Sequence, residues 1–255
     1  MSAAIEFRDL SFVTSQGRVL LDGVSLALEP GTTTAILGRS GSGKTTLLRT
    51  VNRLIEFTGG DALVNGTSVR DAELIALRRG IGYVIQETGL FPHFTIERNT
   101  GLVLEAMGRK RAERMSRSHA LLSAVGLDPA IFATRYPHQL SGGQRQRVGL
   151  ARALAAEPEI LLMDEPFGAL DPLTRAEMQE MLRDLLGRME KTVLLVTHDL
   201  DEALFLADRI VLLSSGKVIA DLAPEAFLES ALPEVEAYRR AFHRGAPDAA
   251  GGRRA

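Results

Sequence analysis

The chain contains no cysteine, and this absence removes several kinds of chemistry at once. A disulfide framework, a thiolate metal site and a cysteine nucleophile are all excluded, as is usual for proteins of a reducing compartment. An excess of charge is also missing, because 30 basic residues face 32 acidic ones and the formal net charge is -2. We therefore expect no broad polyanion-binding face, although a local basic pocket remains possible.

Long apolar runs are missing as well. The longest have the length of a strand, such as residues 193–196, and none approaches the about 18 residues of a membrane span. Charges at Glu6, Arg8 and Asp9 arrive before an apolar segment can build, so we expect no signal peptide. If the protein works at a membrane, we expect it to do so through a partner.

Apolar residues make up 45% of the 255 residues, enough for a sizeable core in one or two domains. Strand patterns alternate with helical patterns along the chain, which predicts an α/β fold with a mainly parallel sheet. The predicted strands cover residues 32–37, 160–163, 192–196 and 210–213, and the predicted helices cover 45–54, 142–156, 173–190 and 200–207.

Three further regions depart from this alternation. The first third reads as strands and turns apart from the helix at 45–54, and Asn65-Gly66 is a strong hairpin signal that predicts an antiparallel β subdomain. Helical spacing dominates from about residue 87 to 135 and predicts an inserted helical subdomain. We expect one domain over residues 1–230 and a short tail over 231–255. A helix-like stretch covers about residues 224–243, and the chain is expected to be loose from residue 245 onward.

A glycine-rich segment between a predicted strand and a predicted helix carries the first chemical signal. It matches G-x-x-x-x-G-K-[ST] and comprises Gly38, Arg39, Ser40, Gly41, Ser42, Gly43, Lys44 and Thr45. Its backbone N–H groups and the helix N-terminus would bind phosphate, and Lys44 would reach the β- and γ-phosphates. Thr45 would offer a hydroxyl to Mg²⁺, and Thr46 can reach the α-phosphate. The alternative is a Gly/Ser-rich turn, and a chance match is on the order of one in a hundred.

A carboxylate pair follows the apolar residues 160–163. Asp164 and Glu165 would lie at the C-terminal end of a buried strand, where α/β sheets bind ligands. Asp164 would hold Mg²⁺ through water, and Glu165 would orient and polarise the attacking water. Without the phosphate loop, a strand ending at a charged surface turn would explain the pair equally well.

Further polar positions complete the pattern. The segment LSGGQ includes Ser141, Gly142, Gly143 and Gln144 just before a helix, where it could equally be a helix cap. Gln86 follows a short strand, and Asp171 follows the acidic pair. Of five histidines, His198 stands at the end of a predicted core strand, where a structural loop histidine is the alternative.

Taken in this order over most of residues 5–220, these motifs resemble the nucleotide-binding subunit of ATP-binding cassette (ABC) transporters. The resemblance implies a P-loop NTPase cassette in which ATP and Mg²⁺ lie between the phosphate loop of one subunit and Ser141–Gln144 of a second. It implies that Glu165 acts as general base, that His198 contacts the γ-phosphate and that Asp171 lies at the nucleotide site. Gln86 would touch the metal with Thr45 and Asp164 and link the nucleotide to a membrane partner.

A narrower resemblance points to importers of osmoprotectants such as glycine betaine, choline and carnitine. It rests on residues 52–56, 82–86, 89–93 and 135–137. The implied partners are permease subunits, a second identical cassette and, indirectly, a solute-binding protein, at the cytoplasmic face of the inner membrane. An importer of another solute is the alternative. A non-transport cassette acting on ribosomes or DNA fits less well, because one cassette without cysteine or coiled coil is present, and we expect no nucleic-acid partner.

Several positions depart from the pattern of that family. The ring that stacks on adenine is usually tyrosine, and Phe12 is the best candidate here, with Phe7 second. Arg98, Thr100 and Gly101 stand where the family prefers acidic and aliphatic residues, and glycine weakens a helix start by about 1 kcal/mol relative to alanine. The residues after the core are too few for the paired CBS modules of many osmoprotectant cassettes, so we expect no built-in osmotic sensor.

Overall fold

The computed structural model describes residues 3–243, with side chains for residues 3–242, and contains two sheets and a set of mostly short helices. The strands are β1 (Ile5–Val13), β2 (Val19–Leu28), β3 (Thr33–Leu37), β4 (Gly59–Val64), β5 (Thr67–Ser68), β6 (Ile81–Val84), β7 (Ile160–Asp164), β8 (Thr192–Val196), β9 (Arg209–Ser214) and β10 (Lys217–Leu222). The helices are α1 (Lys44–Val51), α2 (Leu74–Arg79), α3 (Ile96–Thr100), α4 (Leu102–Ala106), α5 (Arg111–Ala124), α6 (Pro129–Phe132), α7 (Gly142–Ala153), α8 (Pro172–Gly187), α9 (Leu200–Leu206), α10 (Pro224–Glu229) and α11 (Pro233–His243).

The larger sheet has six strands in the order β10-β9-β3-β8-β7-β6. The five strands from β9 to β6 run parallel, whereas β10 pairs antiparallel with β9. All residues of β3, β7 and β8 are buried, as expected of parallel strands covered on both faces. The carboxyl ends of these strands meet at one edge, which is where the motif residues follow them. The predicted mainly parallel α/β core is confirmed.

The smaller sheet is antiparallel, with strand order β2-β1-β4-β5. The hairpin between β4 and β5 turns at Asn65 and Gly66, whose φ angles of 49° and 79° are both left-handed, as a two-residue hairpin turn requires. Phe7 is fully buried in an apolar cluster that this sheet shares with α1. The predicted antiparallel subdomain is therefore present and packs directly beside the phosphate loop.

Four helices, α3 to α6, occupy the predicted helical insertion. The Asp128 side chain caps α6 by accepting from the N–H of Ala130. Gly101 separates α3 from α4, and a Cβ at this position would lie 2.7 Å from the Ser118 hydroxyl of α5. The expected weakening at Gly101 thus has a packing reason, because α5 approaches too closely for a side chain. Arg98 lies over the Phe94 ring at 3.8 Å.

Two helical regions differ from the expectation. Helix α2 lies in a region predicted to contain strands and turns. The sequence pattern does not indicate this helix, because six residues are too few to show a 3.6-residue period. The Glu73 side chain caps the helix. The helix-like stretch predicted at about residues 224–243 is present as α10 and α11, but residues 231–255 were predicted to form a tail, and Val235 of α11 is instead fully buried in the core. Residues 245–255, predicted to be loose, lie outside the described residues, and the domain boundary at residue 230 stays a prediction. Within residues 3–243 no helix is long and apolar enough to cross a membrane.

Candidate active site

The glycine-rich loop joins the buried strand β3 to helix α1. Gly43 has a φ of 105°, and a Cβ there would lie 2.4 Å from the carbonyl oxygen of Leu20, so glycine is required. Gly41 also has a left-handed φ, of 78°. The Ser42 hydroxyl is buried and has no hydrogen-bond partner within the described residues. This leaves a tight loop at a helix N-terminus, the arrangement that binds phosphate in proteins.

Lys44 is held against the loop that precedes it. Its Nζ donates to the carbonyl oxygens of Gly38 at 2.8 Å and Arg39 at 3.1 Å, and the residue is buried. Burial lowers the pKa of Lys44, while the carboxylates of Glu165 and Asp164 act in the opposite direction. The lysine therefore places a poorly solvated positive charge at the phosphate loop.

Asp164 connects the acidic pair to helix α1. The Thr45 hydroxyl donates to its Oδ1 at 2.8 Å, and Oδ2 lies 3.3 Å from Nη2 of Arg49 and 3.4 Å from the Tyr83 hydroxyl. Burial raises the pKa of Tyr83, so its hydroxyl stays protonated. Thr45 and Asp164 are thus brought together as predicted. Arg49 was missed, although it follows Thr45 by one helical turn and that spacing could have indicated it.

Glu165 lies beside His198 at the carboxyl ends of β7 and β8. Glu165 Oε2 is 3.2 Å from His198 Nδ1, and the Glu165 N–H donates to the carbonyl of Val196 at 2.9 Å. The φ of Glu165 is 46°, an uncommon angle for a residue with a side chain. The His198 side chain is 61% exposed and that of Glu165 23%, so both can reach a ligand from solvent.

Gln86 also belongs to this group. A Cβ placed on Gly168 would lie 3.6 Å from Glu165 Oε2 and 3.7 Å from Gln86 Nε2, so both side chains border the same small space. The backbone of Gln86 is fixed in turn, because Gln146 Nε2 donates to its carbonyl oxygen at 3.0 Å. Gln86 and Glu165 therefore lie close together, whereas the metal contact of Gln86 stays a prediction.

The segment Ser141–Gln144 forms a capped helix start elsewhere on the chain. The Gln144 N–H donates to the Ser141 hydroxyl at 3.2 Å, and the Ser141 N–H donates to Gln144 Oε1 at 2.9 Å, which is a capping box. A Cβ on Gly143 would lie 2.4 Å from Thr174 of α8, and Gly142 faces Leu170. Within residues 3–243, none of the contacts found for this segment joins it to the phosphate loop.

The Asp171 side chain caps the N-terminus of helix α8. Its carboxylate accepts from the N–H of Thr174 at 3.1 Å, and hydrogen bonds from Thr174 lower the pKa of Asp171. Asp171 is exposed. Its role at a nucleotide stays a prediction.

Residues of β1 and of the turn that follows it also lie near the phosphate loop. Phe12 is partly buried against the cluster that includes α1, whereas Phe7 is fully buried and has no exposed ring face. Phe12 therefore remains the better candidate for stacking. Arg18 was missed by the sequence analysis, and its Nη2 lies 3.5 Å from the position of a Cβ on Gly41. Arg18 follows a short turn after β1 and has no motif around it.

These residues define a class of protein. A phosphate loop at the carboxyl edge of a parallel sheet, with Thr45 and Asp164 joined beside it and Glu165 next to His198, is the site of a phosphate-loop nucleotide-binding α/β protein. The family model described as "ABC transporter" matches residues 21–168, more than half of the chain. The chain belongs to the ABC transporter family.

Curated relatives are similar over most of this chain. The choline transport ATP-binding protein OpuBA of Bacillus subtilis is 45% identical over 218 residues, which cover 86% of this chain and 57% of that protein. The osmoprotectant import ATP-binding protein OsmV of Salmonella typhimurium is 46% identical over 219 residues, covering 85% and 57%. The chain thus spans 57% of the length of these two relatives.

Solved structures support the same fold. The dimeric structure of the ATP-binding cassette MJ0796 in a post-hydrolysis state, bound to ADP and Pi, is similar with a TM-score of 0.77 and 33% identity, covering 86% of this chain and 98% of that chain. The cbiO1 structure from Clostridium perfringens, part of the cbiONQ complex, has a TM-score of 0.82 at 25% identity, covering 96% and 99%. The predicted cassette fold is confirmed.

Proposed function

We propose that this chain is the ATP-hydrolysing subunit of an ABC importer, and that a dimer of cassettes couples ATP binding and hydrolysis to solute uptake through a membrane permease. The observation that carries the proposal is the Glu165–His198 pair beside the Thr45–Asp164 pair, next to a phosphate loop. A binding module without hydrolysis would need neither a carboxylate nor an imidazole at this position.

The phosphate loop fits the triphosphate of ATP. Its backbone N–H groups, the N-terminus of α1 and the Lys44 ammonium would neutralise phosphate oxygens. The buried Ser42 hydroxyl lacks a protein partner among the described residues, and a phosphate oxygen would satisfy it. Phe12 can stack on adenine without the hydroxyl of a tyrosine, and Arg18, in the turn between β1 and β2, lies near Gly41.

Mg²⁺ fits the oxygen donors beside the loop. The Thr45 hydroxyl and the Asp164 carboxylate are hard ligands, and Gln86 can add an amide oxygen. Within the described residues no group of three or more His, Cys, Asp or Glu could hold a metal, so most remaining ligands would be phosphate oxygens and water. When bound, the ion would neutralise charge on the β- and γ-phosphates.

The proposed chemistry belongs to Glu165 and His198. The Glu165 carboxylate accepts the proton of the attacking water, and the neighbouring imidazole of His198 donates a hydrogen bond to the γ-phosphate side of the site. Lys44 neutralises the phosphate oxygens as charge develops on them. Gln86 follows β6 and contacts the bound nucleotide, so a shift of Gln86 on nucleotide binding also shifts the helical region that follows it.

The partners follow from the position of the segment Ser141–Gln144. Because it contacts α8 and not the phosphate loop of its own chain, it is free to complete the site of a second cassette. The dimeric structure of the similar cassette MJ0796 supports this arrangement. We expect an identical second subunit, permease subunits that hold the chain at the cytoplasmic face of the inner membrane, and a solute-binding protein that acts indirectly.

The proposed solutes are osmoprotectants such as glycine betaine, choline and carnitine. The names of the relatives at 42–48% identity support this class, including the choline transport and osmoprotectant import proteins described above. Transport of labelled glycine betaine, choline and an amino acid into vesicles carrying the cassette with its permease would test it. Uptake of the amino acid alone would overturn this solute class and leave the ATPase proposal standing.

The change Glu165→Gln tests the ATPase proposal. It keeps the shape of the side chain but removes the base, so we expect ATP binding to persist and turnover to fall at least about a hundredfold. An ATP-bound dimer should accumulate in gel filtration. The matched control is Glu180→Gln on the exposed face of α8, which should hydrolyse ATP at the parental rate. Parental turnover in the Glu165→Gln chain would exclude Glu165 as the base.

A further inference from the structure

Helix α11 is fixed against the phosphate-loop edge of the sheet, although it comes almost 200 residues after that loop. Val235 is fully buried, and Tyr238 and Phe242 pack partly buried against the main apolar cluster. Arg239 Nη2, from the middle of the helix, donates to the carbonyl of Ser230 at 2.9 Å and so joins the helix to the preceding turn. This helix is therefore a built part of the described fold.

A cleft of about 370 Å³ separates α11 from the phosphate loop. Its walls are residues 38–42 of the loop, residues 212–215 at the end of β9, and Glu234, Ala237 and Tyr238 of the helix. Helix α11 thus faces the same loop that would hold the phosphates. None of the motifs in the sequence assigns a role to it.

Tyr238 bridges two parts of the site. Its hydroxyl donates to the carbonyl oxygen of His198 at 2.8 Å, and its side chain lines the same cleft as Gly38, the first residue of the phosphate loop. Burial raises the pKa of Tyr238 to about 12, so the hydroxyl stays protonated and keeps donating at physiological pH. Tyr238 therefore borders the same cleft as the start of the phosphate loop, while its hydroxyl binds the backbone of the histidine.

His198 in turn lies next to the carboxylate of Glu165. Its Nδ1 is 3.2 Å from Glu165 Oε2, while its side chain is mostly exposed and not fixed by packing. The hydrogen bond from Tyr238 restrains the backbone of His198 itself, beside the bonds that hold Thr197 and Asp199 on either side of it. A shift of the His198 backbone would move the ring relative to Glu165 and to the phosphates.

We infer that Tyr238 is a positioning residue, which uses its hydroxyl to fix His198 relative to the phosphate loop and to Glu165. The inference rests on the proposed ATPase function and extends it to an element outside the recognised motifs. It predicts that helix α11 influences the rate of hydrolysis more than the binding of ATP.

The test compares Tyr238→Phe with Glu236→Gln, both on α11. Tyr238→Phe removes one hydroxyl and keeps the packed ring, whereas Glu236 is exposed on the other face and pairs with Arg240. We expect Tyr238→Phe to lower kcat about fivefold, as the loss of one ordinary hydrogen bond would, with the KM for ATP changed less than about twofold. Glu236→Gln should leave both constants unchanged.

A double-mutant cycle with His198→Ala separates positioning from general damage. If Tyr238 acts through His198, adding Tyr238→Phe to His198→Ala lowers kcat no further. Equal fold losses in both backgrounds, or an unchanged kcat in Tyr238→Phe, would overturn the inference while the parental chain still hydrolyses ATP. Absence of hydrolysis in the parental chain with its permease would instead overturn the proposed function.

Discussion

Glu202 is a buried carboxyl behind the histidine of the site. The Thr197 hydroxyl donates to its Oε2 at 2.5 Å, and the residue is 3% exposed. Burial raises the pKa of Glu202 above its usual value of 4.5, and Asp199 acts in the same direction, while Thr197, Arg175 and His198 oppose it. The fold therefore favours the neutral carboxyl and disfavours the carboxylate at the root of the His198 loop.

The change Glu202→Gln tests this through the pH dependence of stability. Because the folded pKa is raised, the stabilisation from neutral Glu202 is full below pH 4.5 and is lost as the pH rises through the folded pKa. Glutamine stays neutral and can still accept from Thr197. We expect the free energy of unfolding in urea to be higher for Glu202→Gln than for the parental chain at pH 8. This difference in free energy should disappear near pH 4.5.

The control for this measurement is the exposed Glu180→Gln, which should show no such pH-dependent gap. A stability difference that is the same at both pH values would show that folding does not shift the pKa of Glu202. A larger loss of stability for Glu202→Gln at pH 8 than near pH 4.5 would show that the charged carboxylate is the favoured form.

At single positions, the sequence predicted site residues wherever residues that act together are also adjacent in the chain. Lys44 and Thr45 follow a recognisable spacing, and Asp164 and Glu165 end one apolar strand, so their meeting at the sheet edge could be predicted. The role of Tyr238 could not be predicted, because its hydrogen bond to the His198 carbonyl joins positions 40 residues apart and depends on the packing of a helix without a motif.

Among the secondary-structure elements, the contact between α7 and α8 leaves no room for a side chain. A Cβ on Gly143 would lie 2.4 Å from the Thr174 methyl group, and the β-branched Thr174 has few alternative rotamers on a helix. This glycine therefore has a packing role in addition to any contact with a nucleotide.

The change Gly143→Ala should lower the free energy of unfolding by about 1–3 kcal/mol, because it overpacks this contact. Thr174→Ser removes the obstructing methyl group and keeps the hydroxyl near Asp171. We expect the double variant to recover the stability of Thr174→Ser alone, as measured by urea unfolding. Full stability of Gly143→Ala without the second change would contradict the close packing.

Helix starts were more predictable than helix positions. Asp128-Pro129 and the Ser141–Gln144 capping box have sequence signals, because a short polar side chain must satisfy the first free N–H groups. Helix α2 and the packing of α11 lack such signals. Helix α2 is too short to show a 3.6-residue period, and the packing of α11 depends on the burial of Val235 in the core.

At the scale of the whole molecule, Lys44 and Ser141 should serve one site from opposite subunits of a dimer. Mixing a Lys44→Ala chain with a Ser141→Arg chain gives dimers with one doubly damaged site and one intact site. We expect each variant alone to be inactive and the mixture to regain part of the parental ATPase rate. The measurement requires mixed dimers verified by two affinity tags. Verified mixed dimers without activity would argue against a shared site or for strict cooperation between both sites.

The position of β3 also has a consequence for how the chain is made. β3 lies between β8 and β9, and the N–H of Thr33 donates to Asp208, 175 positions later. At about 5–20 residues per second, a ribosome takes roughly 10–35 s to deliver that partner. For most of this interval, until β8 is made, the apolar strand that leads to the phosphate loop has no parallel neighbour, so the nascent chain exposes it. We expect productive synthesis to depend on chaperones that bind the first half of the chain, more than the stability of the finished fold would suggest.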